Sequence, residues 1–208
     1  AQYFEIHPTH PQPRLVRRAA AIVAQGGLIA YPTDSCYALG CHLGDTRALA
    51  RLRQLRALDA RHHLTLMCSD LAQVASFAMV NNVQHRMIRA AAAGSFTFIL
   101  RARRQLPRRL LHPRRRTIGV RISAHPVARA LVAELGEPML SATLQLPQDA
   151  APLSDPQEIR ARLEHALDLV VDAGACGVEP TTVVDLTGDA PVVLRRGRGA
   201  PALIGLTA

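Results

Sequence analysis

Two periods of apolar spacing alternate along this chain and predict helices and strands in turn. Over 14–25 the apolar residues Leu15, Ala19, Ile22 and Val23 keep the three- and four-residue spacing of one helix face, and Gly26-Gly27 ends the pattern. Residues 28–31 then form a short apolar run of strand type that stops at Pro32, which has no N–H to give a ladder. Thr33, Asp34 and Ser35 follow, then Tyr37. Two readings of this segment stay open. It is a turn leading into another strand, or a ligand-binding segment at the carboxyl end of a strand, where open α/β sheets hold their ligands.

Further along, Asp45 is placed to cap a helix running to about Arg56, with Ala48, Leu49, Leu52 and Leu55 on one face. A strand is expected at 64–68, helices at 70–77 and 83–92, and strands at 95–102 and 117–122. Gly136 closes a helix over 126–135, a strand covers 139–144, and Pro156 sits in the first turn of a helix over 155–167. Strands at 168–171, 183–186 and 192–195 complete the series, the last two paired around the Thr187-Gly188-Asp189 turn. Residues 146–154, with two prolines and no periodicity, read as a surface loop. Strands alternating with helices predict an α/β fold. The late strand pairs leave no room for a helix between them and add antiparallel edges. The expectation is a single domain over 1–208, built on a twisted, mixed parallel and antiparallel sheet with flanking helices.

Composition narrows the chemistry. The formal charge of +9 comes from 25 basic residues against 16 acidic ones, and every basic residue is arginine. Phosphate in this protein must therefore be held by guanidinium groups, which bind oxyanions bidentately and keep their charge. Schiff-base chemistry on lysine is excluded. The four cysteines form no C-x-x-C pair and the nine histidines show no metal-ligand spacing, so no metal site is expected. Cys36 reads as a small buried hydrophobe or as a ligand contact. The first 13 residues lack a signal-peptide pattern, and no apolar run approaches the ~20 residues of a membrane span, which predicts a cytoplasmic protein with no membrane partner. Neither G-x-x-x-x-G-K-[ST] nor G-x-G-x-x-G occurs, and no nucleophilic triad can be argued from spacing.

From 101 to 121 there are nine arginines and no acidic residue. Arg101, Arg103, Arg104, Arg108, Arg109, Arg114, Arg115 and Arg116 form either a solvated basic face or a surface for phosphates, RNA included. Arg121 stands inside an apolar strand, where an unpaired charge is costly, so it requires a carboxylate partner or a bound anion.

The segment Pro32-Thr33-Asp34-Ser35-Cys36-Tyr37-Ala38-Leu39-Gly40 resembles the Pro-Thr-Glu-Thr-x-Tyr-Gly-Leu-Gly signature of the YrdC/YciO family, whose characterised members are threonylcarbamoyl-AMP synthases. The likeness continues in order through Ser95-Phe96-Thr97-Phe98-Ile99-Leu100, Ile118-Gly119-Val120-Arg121-Ile122, Pro138-Met139-Leu140-Ser141-Ala142-Thr143, Thr181-Thr182-Val183-Val184-Asp185 and Val192-Val193-Leu194-Arg195-Arg196-Gly197. It spans roughly 12–200, with details such as Leu64-Thr65-Leu66-Met67-Cys68 nearer to the YciO branch.

The resemblance implies a YrdC-like fold with a basic concave cavity. It implies an activity that joins L-threonine, bicarbonate and ATP, with Mg²⁺, into threonylcarbamoyl-AMP for tRNA modification, a nucleotidyltransferase reaction. The same family is described as binding double-stranded RNA, which gives the alternative of an RNA binder without synthase turnover. Carried over residue by residue, Arg56, Ser141, Thr143, Gln145 and Arg195 would meet the nucleotide (ATP or AMP) and its phosphates. Thr33, Thr97 and Arg121 would contact L-threonine, or a similar small amino acid, or its carbamate. Three departures stand out. The family's Lys-x-Arg falls on Arg56-Ala57-Leu58, which loses the second cation; Ser-x-Asn becomes Thr143-Leu144-Gln145; and a Pro-Gly-Pro turn becomes Ala93-Gly94-Ser95. A lost guanidinium–phosphate interaction costs about 1.5–3 kcal/mol, so an arginine restored at Leu58 is expected to strengthen nucleotide binding by about tenfold or more.

Overall fold

In chain order the elements are β1 (Gln2–Glu5), α1 (Pro13–Ala24), β2 (Ile29–Tyr31), β3 (Ala38–His42), α2 (Thr46–Arg56), β4 (Thr65–Met67), α3 (Leu71–Phe77), α4 (Asn82–Ala90), β5 (Phe96–Arg101), β6 (Thr117–Arg121), α5 (Pro126–Leu135), β7 (Met139–Thr143), α6 (Pro156–Leu163), β8 (Leu169–Asp172), β9 (Thr182–Asp185) and β10 (Val192–Arg195). Short 3-10 turns lie at Arg108–Leu110 and Pro201–Ile204. The structure, a computed structural model, describes residues 1–59, 61–91 and 94–206. Ala93 of the departed turn lies outside the described residues.

Local chemistry sets most of these boundaries. The Asp45 carboxylate accepts the Ala48 N–H at 2.8 Å and starts α2. Asn81 and Gln84 form a reciprocal capping box on α4. Gly136 ends α5 at φ +74°, where a side chain would be strained, and its N–H closes on the Val132 carbonyl.

All ten strands join one sheet in the order β1-β8-β2-β3-β7-β4-β6-β5-β9-β10. The pairings β1–β8, β2–β8, β4–β6 and β5–β9 are parallel; the others are antiparallel, so the sheet is mixed as expected. Its central strands are buried on both faces. Leu28 and Ala30 enter one apolar cluster, roofed by α2, α3, α4 and α6, while Ile29 and Tyr31 enter a second, roofed by α1 and α5. The second cluster draws nothing from β5, β6, β9 or β10. On that face the helical roof covers only the β1 half of the sheet, and the β10 half lies open. This asymmetry positions the cavity.

Several expectations change. Pro32 does end β2, and the chain turns at once into β3, which pairs antiparallel with both β2 and β7. The turn and the strand after it are thus both present. β1 carried no readable signal, because its four residues become a strand only by pairing with β8. Helix α6 stops at Leu163 rather than 167, leaving Leu167 to bury itself in the core. The stretch 146–154 is only partly a surface loop: Leu146 and Leu153 are buried, and the Leu153 N–H donates to the Leu144 carbonyl at 2.9 Å.

Candidate anion-binding site

A cavity of about 310 Å³ occupies the open half of the sheet face. Side chains pointing from one face of β4, β5, β6 and β7 form its floor, because Thr65 pairs with Gly119 and Ser141 in register and residues two apart share a face. Arg56 enters from the end of α2, Arg195 from edge strand β10, and Arg61, His62 and His63 from the loop before β4. Among the described lining residues are four arginines and two histidines, but no aspartate or glutamate. Such a volume is at the lower end of small-molecule sites.

Seven of the eight expected nucleotide and substrate residues line this one space: Arg56, Ser141, Thr143, Gln145, Arg195, Thr97 and Arg121. Their chain positions run from 56 to 195, so tertiary structure alone brings them together. Ser141 is buried, its hydroxyl bonded to the Tyr31 hydroxyl at 2.7 Å and donating to the Leu39 carbonyl at 3.1 Å. Thr97 meets the Thr181 hydroxyl at 2.8 Å.

Arg121 and Asp34 form a buried ion pair at 2.8 Å. The same guanidinium nitrogen donates to the Thr33 and Ser35 hydroxyls at 3.1 and 3.0 Å. Burial by itself would raise the Asp34 carboxyl, yet the Arg121 charge and hydrogen bonds from Ser123 and Ser95 outweigh it and hold it below the usual carboxylate range. Arg121 Nε is buried with no partner. The strand arginine thus has its carboxylate, and its hydrogen bonds all leave from one terminal nitrogen. Thr33 stands behind Arg121. It does not line the cavity; its hydroxyl donates to the Cys36 carbonyl at 2.6 Å and accepts from Arg121, which makes it a positioning residue. Cys36 is also buried, behind the lining residue Thr143.

Arg56 and Arg195 differ from Arg121 in having no acidic partner among the described residues. Arg195 donates through Nε and Nη2 to the Thr181 carbonyl at 3.1 and 2.9 Å. Arg56 donates from Nη1 to the Gln145 carbonyl, while its buried Nε has no partner. Burial first, and a neighbouring guanidinium after it, make both arginines hold their protons less tightly than usual. Leu58, at the family's second cation position, points elsewhere: Ala57 takes a left-handed conformation at φ 49° and Leu58 packs on the core. Arg61 instead supplies a further cation to the cavity. Sequence reasoning missed Arg61, His62, His63 and Thr181. The Arg61-His62-His63 run was a visible signal, since it sits between a capped helix and a strand.

The eight arginines of the basic segment are all exposed. Leu106, Leu110 and Leu111 anchor the segment in the core, which turns its charges outward. Arg103 and Arg109 donate to backbone carbonyls, and Arg115 lies 3.7 Å from Asp185. Arg61 is shared between the cavity and a smaller basic recess formed with His112, Arg114 and Arg115.

A profile for Sua5/YciO/YrdC domains, described as "Telomere recombination", matches residues 21–197. The chain belongs to that family. It is 48% identical over 199 residues to the YciO protein of Escherichia coli (strain K12), covering 96% of this chain and 97% of that one. The E. coli YciO crystal structure superposes with a TM-score of 0.94 at 47% identity, over 98% and 99% of the two chains. The threonylcarbamoyl-AMP synthase of Halorhodospira halophila is 34% identical over 191 residues, 91% of this chain and 98% of that protein. P. abyssi Sua5, solved in complex with L-threonine, shares the fold with a TM-score of 0.84 at 23% identity, over 95% of this chain and 58% of Sua5. No helix among the described residues is long and apolar enough to cross a membrane.

Proposed function

We propose that the cavity binds a nucleotide through its phosphates, and that the reaction it serves is formation of threonylcarbamoyl-AMP from L-threonine, bicarbonate and ATP. The observation that carries this reading is the convergence of Arg56 and Arg195, neither compensated by a carboxylate, on a polar floor of Ser141, Thr143 and Gln145. Uncompensated guanidinium groups that lose solvent on folding call for an oxyanion. The relative from H. halophila named threonylcarbamoyl-AMP synthase supports the choice of reaction.

In that reaction a carbamate oxygen attacks the α-phosphorus, the bond from that phosphorus to the β-bridging oxygen breaks, and its electron pair leaves with pyrophosphate. Arg56 and Arg195 neutralise the phosphate charge that grows along this path, which needs fixed cations rather than a covalent intermediate. Arg121, held by Asp34, Thr33 and Ser35 through one terminal nitrogen, lines the cavity beside Thr97 for the amino acid or carbamate. The cavity wall carries no carboxylate among the described residues, and Asp34 is committed to Arg121, Ser95 and Ser123. The lining would thus offer a magnesium ion hydroxyl and amide oxygens but no carboxylate. Magnesium fits as part of the incoming ATP complex, which supplies further neutralisation of the triphosphate.

Pyrophosphate release measured with all three substrates, at protein concentrations near substrate, tests this. Threonine- and bicarbonate-dependent release is expected; release that ignores threonine rules out the synthase reading. The recess of Arg61, His112, Arg114 and Arg115 next to the cavity favours a second reading, in which the basic segment binds the backbone of double-stranded RNA. Affinity should then fall with salt at a log–log slope of ~0.7–0.9 per phosphate contact, and Arg114→Ala with Arg115→Ala should lower both affinity and slope. A slope near zero removes it.

A further inference from the structure

The cavity holds two imidazoles in a field of guanidinium groups, and the two are not equivalent. His63 is tied on both sides: a ring nitrogen meets the Thr117 hydroxyl at 2.9 Å, and its ring stacks on His112 with centroids 4.9 Å apart. His62 lines the same cavity, yet its ring makes no hydrogen bond among the described residues. Its backbone is fixed instead. The Asp59 carboxylate accepts the N–H groups of Arg61 and His62 at 2.8 and 3.0 Å, which locks the loop and leaves the His62 ring uncommitted at the solvent-open mouth.

Around that ring stand Arg56 from α2, Arg195 from β10 and Asp59 from its own loop, with Arg61 and His63 beside it. We propose that His62 is a ligand-recognition residue of this cavity: it takes a proton from solvent when a phosphate-bearing anion enters, and then donates a charge-assisted hydrogen bond to it. The proposal rests on the anion-binding part of the functional reading and names a residue and a proton that reading does not.

The charge balance gives the direction. In the free protein, burial first and then Arg56 hold the imidazole below its ordinary value, with Arg195 adding to the effect and Asp59 opposing it. Near pH 7 the ring is therefore neutral. An oxyanion lying between Arg56 and Arg195 cancels the charges that oppose protonation and adds one that favours it. The pKa rises on binding, so binding takes up a proton and tightens as pH falls from the bound pKa towards the free one. His63 has different neighbours, namely His112, Asp185, Arg115 and His62, and its hydrogen bond and stack are already made.

Calorimetry decides this with two probes, inorganic tripolyphosphate and ATP, titrated from pH 6 to pH 8 in two buffers of different ionisation enthalpy. Terminal phosphates themselves titrate at about pH 6, so the readout is the difference between the wild-type protein and His62→Gln. The wild type should take up more protons than the variant, by up to about half a proton per ligand midway between the free and bound values for a one-unit shift. Its affinity advantage should be up to about tenfold at pH 6, the equivalent of one unit of pKa shift, and should narrow towards pH 8. His63→Gln should keep the wild-type uptake. Equal uptake in wild type and His62→Gln, or loss of uptake in His63→Gln alone, overturns the proposal. If tripolyphosphate shows the His62-dependent uptake and ATP does not bind, the nucleotide reading fails and this inference stands. If both probes bind without it, the reverse holds. If neither binds at any pH, both fall.

Discussion

Replacing Arg56 with alanine removes one of the two uncompensated cations of the cavity, and the structure gives the size and sign of two separate effects. Arg56 is half-buried, makes a hydrogen bond from Nη1 to the Gln145 carbonyl, and leaves Nε buried without a partner. In the free protein that is a poor arrangement: a desolvated guanidinium near Arg195 with one backbone acceptor. Folding should therefore gain little from it, and the variant should unfold within about 1 kcal/mol of the wild type, or be slightly more stable. Binding should respond very differently. A phosphate against the guanidinium would supply the missing countercharge, an interaction of about 1.5–3 kcal/mol. The dissociation constant for ATP should rise about 10- to 150-fold. Isothermal titration gives the affinity, and denaturant unfolding gives the stability. The double variant with Arg195→Ala supplies the coupling, which should be non-additive because both groups face one ligand. An ATP affinity unchanged within about twofold refutes the assignment of Arg56 to phosphate. A loss of stability above about 3 kcal/mol would mean that its role in the fold was misjudged.

Asp34→Asn leaves the buried Arg121 charge unpaired and should cost about 3–5 kcal/mol, which for a chain of this length lowers Tm by roughly 6–20 °C. Because the Asp34 carboxyl titrates below its ordinary value in the folded state, the stability it brings is complete above the unfolded pKa and vanishes as pH falls through the folded one. The Tm gap between wild type and variant should thus be steady down to about pH 5 and close below about pH 4; a gap that widens in acid contradicts the pairing. Leu58→Arg should not restore phosphate binding as the sequence comparison expects, since Leu58 packs on the core beside a left-handed turn. Expected are an ATP affinity within about threefold of wild type and a loss of about 1–2 kcal/mol in unfolding, and a tenfold gain in affinity would show that the loop can turn this side chain into the cavity. Gly197→Ala would set a methyl group 2.2 Å from the Pro180 carbonyl oxygen and 2.7 Å from Thr181. Both are backbone, so stability should drop by at least about 2 kcal/mol and ATP affinity should weaken as Arg195 shifts; normal unfolding and binding would exclude so close an approach.

Much of this protein is set by local signals in the chain. Asp45, Gly136, Pro126 and Pro156 bound their helices through interactions within one or two turns, and each acts as its residue type predicts. The apolar runs at 28–31 and 64–68 become strands because they are short, branched and bounded. The order of the motif blocks also made seven of the cavity residues legible by resemblance. What the chain could not state was decided by contacts between distant residues. β1 exists only because β8 accepts it, and β3 becomes a central strand, although it contains Gly40, because β2 and β7 flank it. The Arg121–Asp34 pair joins residues 87 apart, and only that pairing separates an arginine already neutralised from Arg56 and Arg195, which are not. Likewise, after one left-handed residue at Ala57, Leu58 packs on the core and Arg61, for which no role was expected, lines the cavity. Spacing along a chain reports neighbours within a few residues, whereas burial and charge compensation depend on which strands the sheet brings side by side. The open half-face over β4, β6, β5, β9 and β10, and hence the cavity itself, is a property of that strand order.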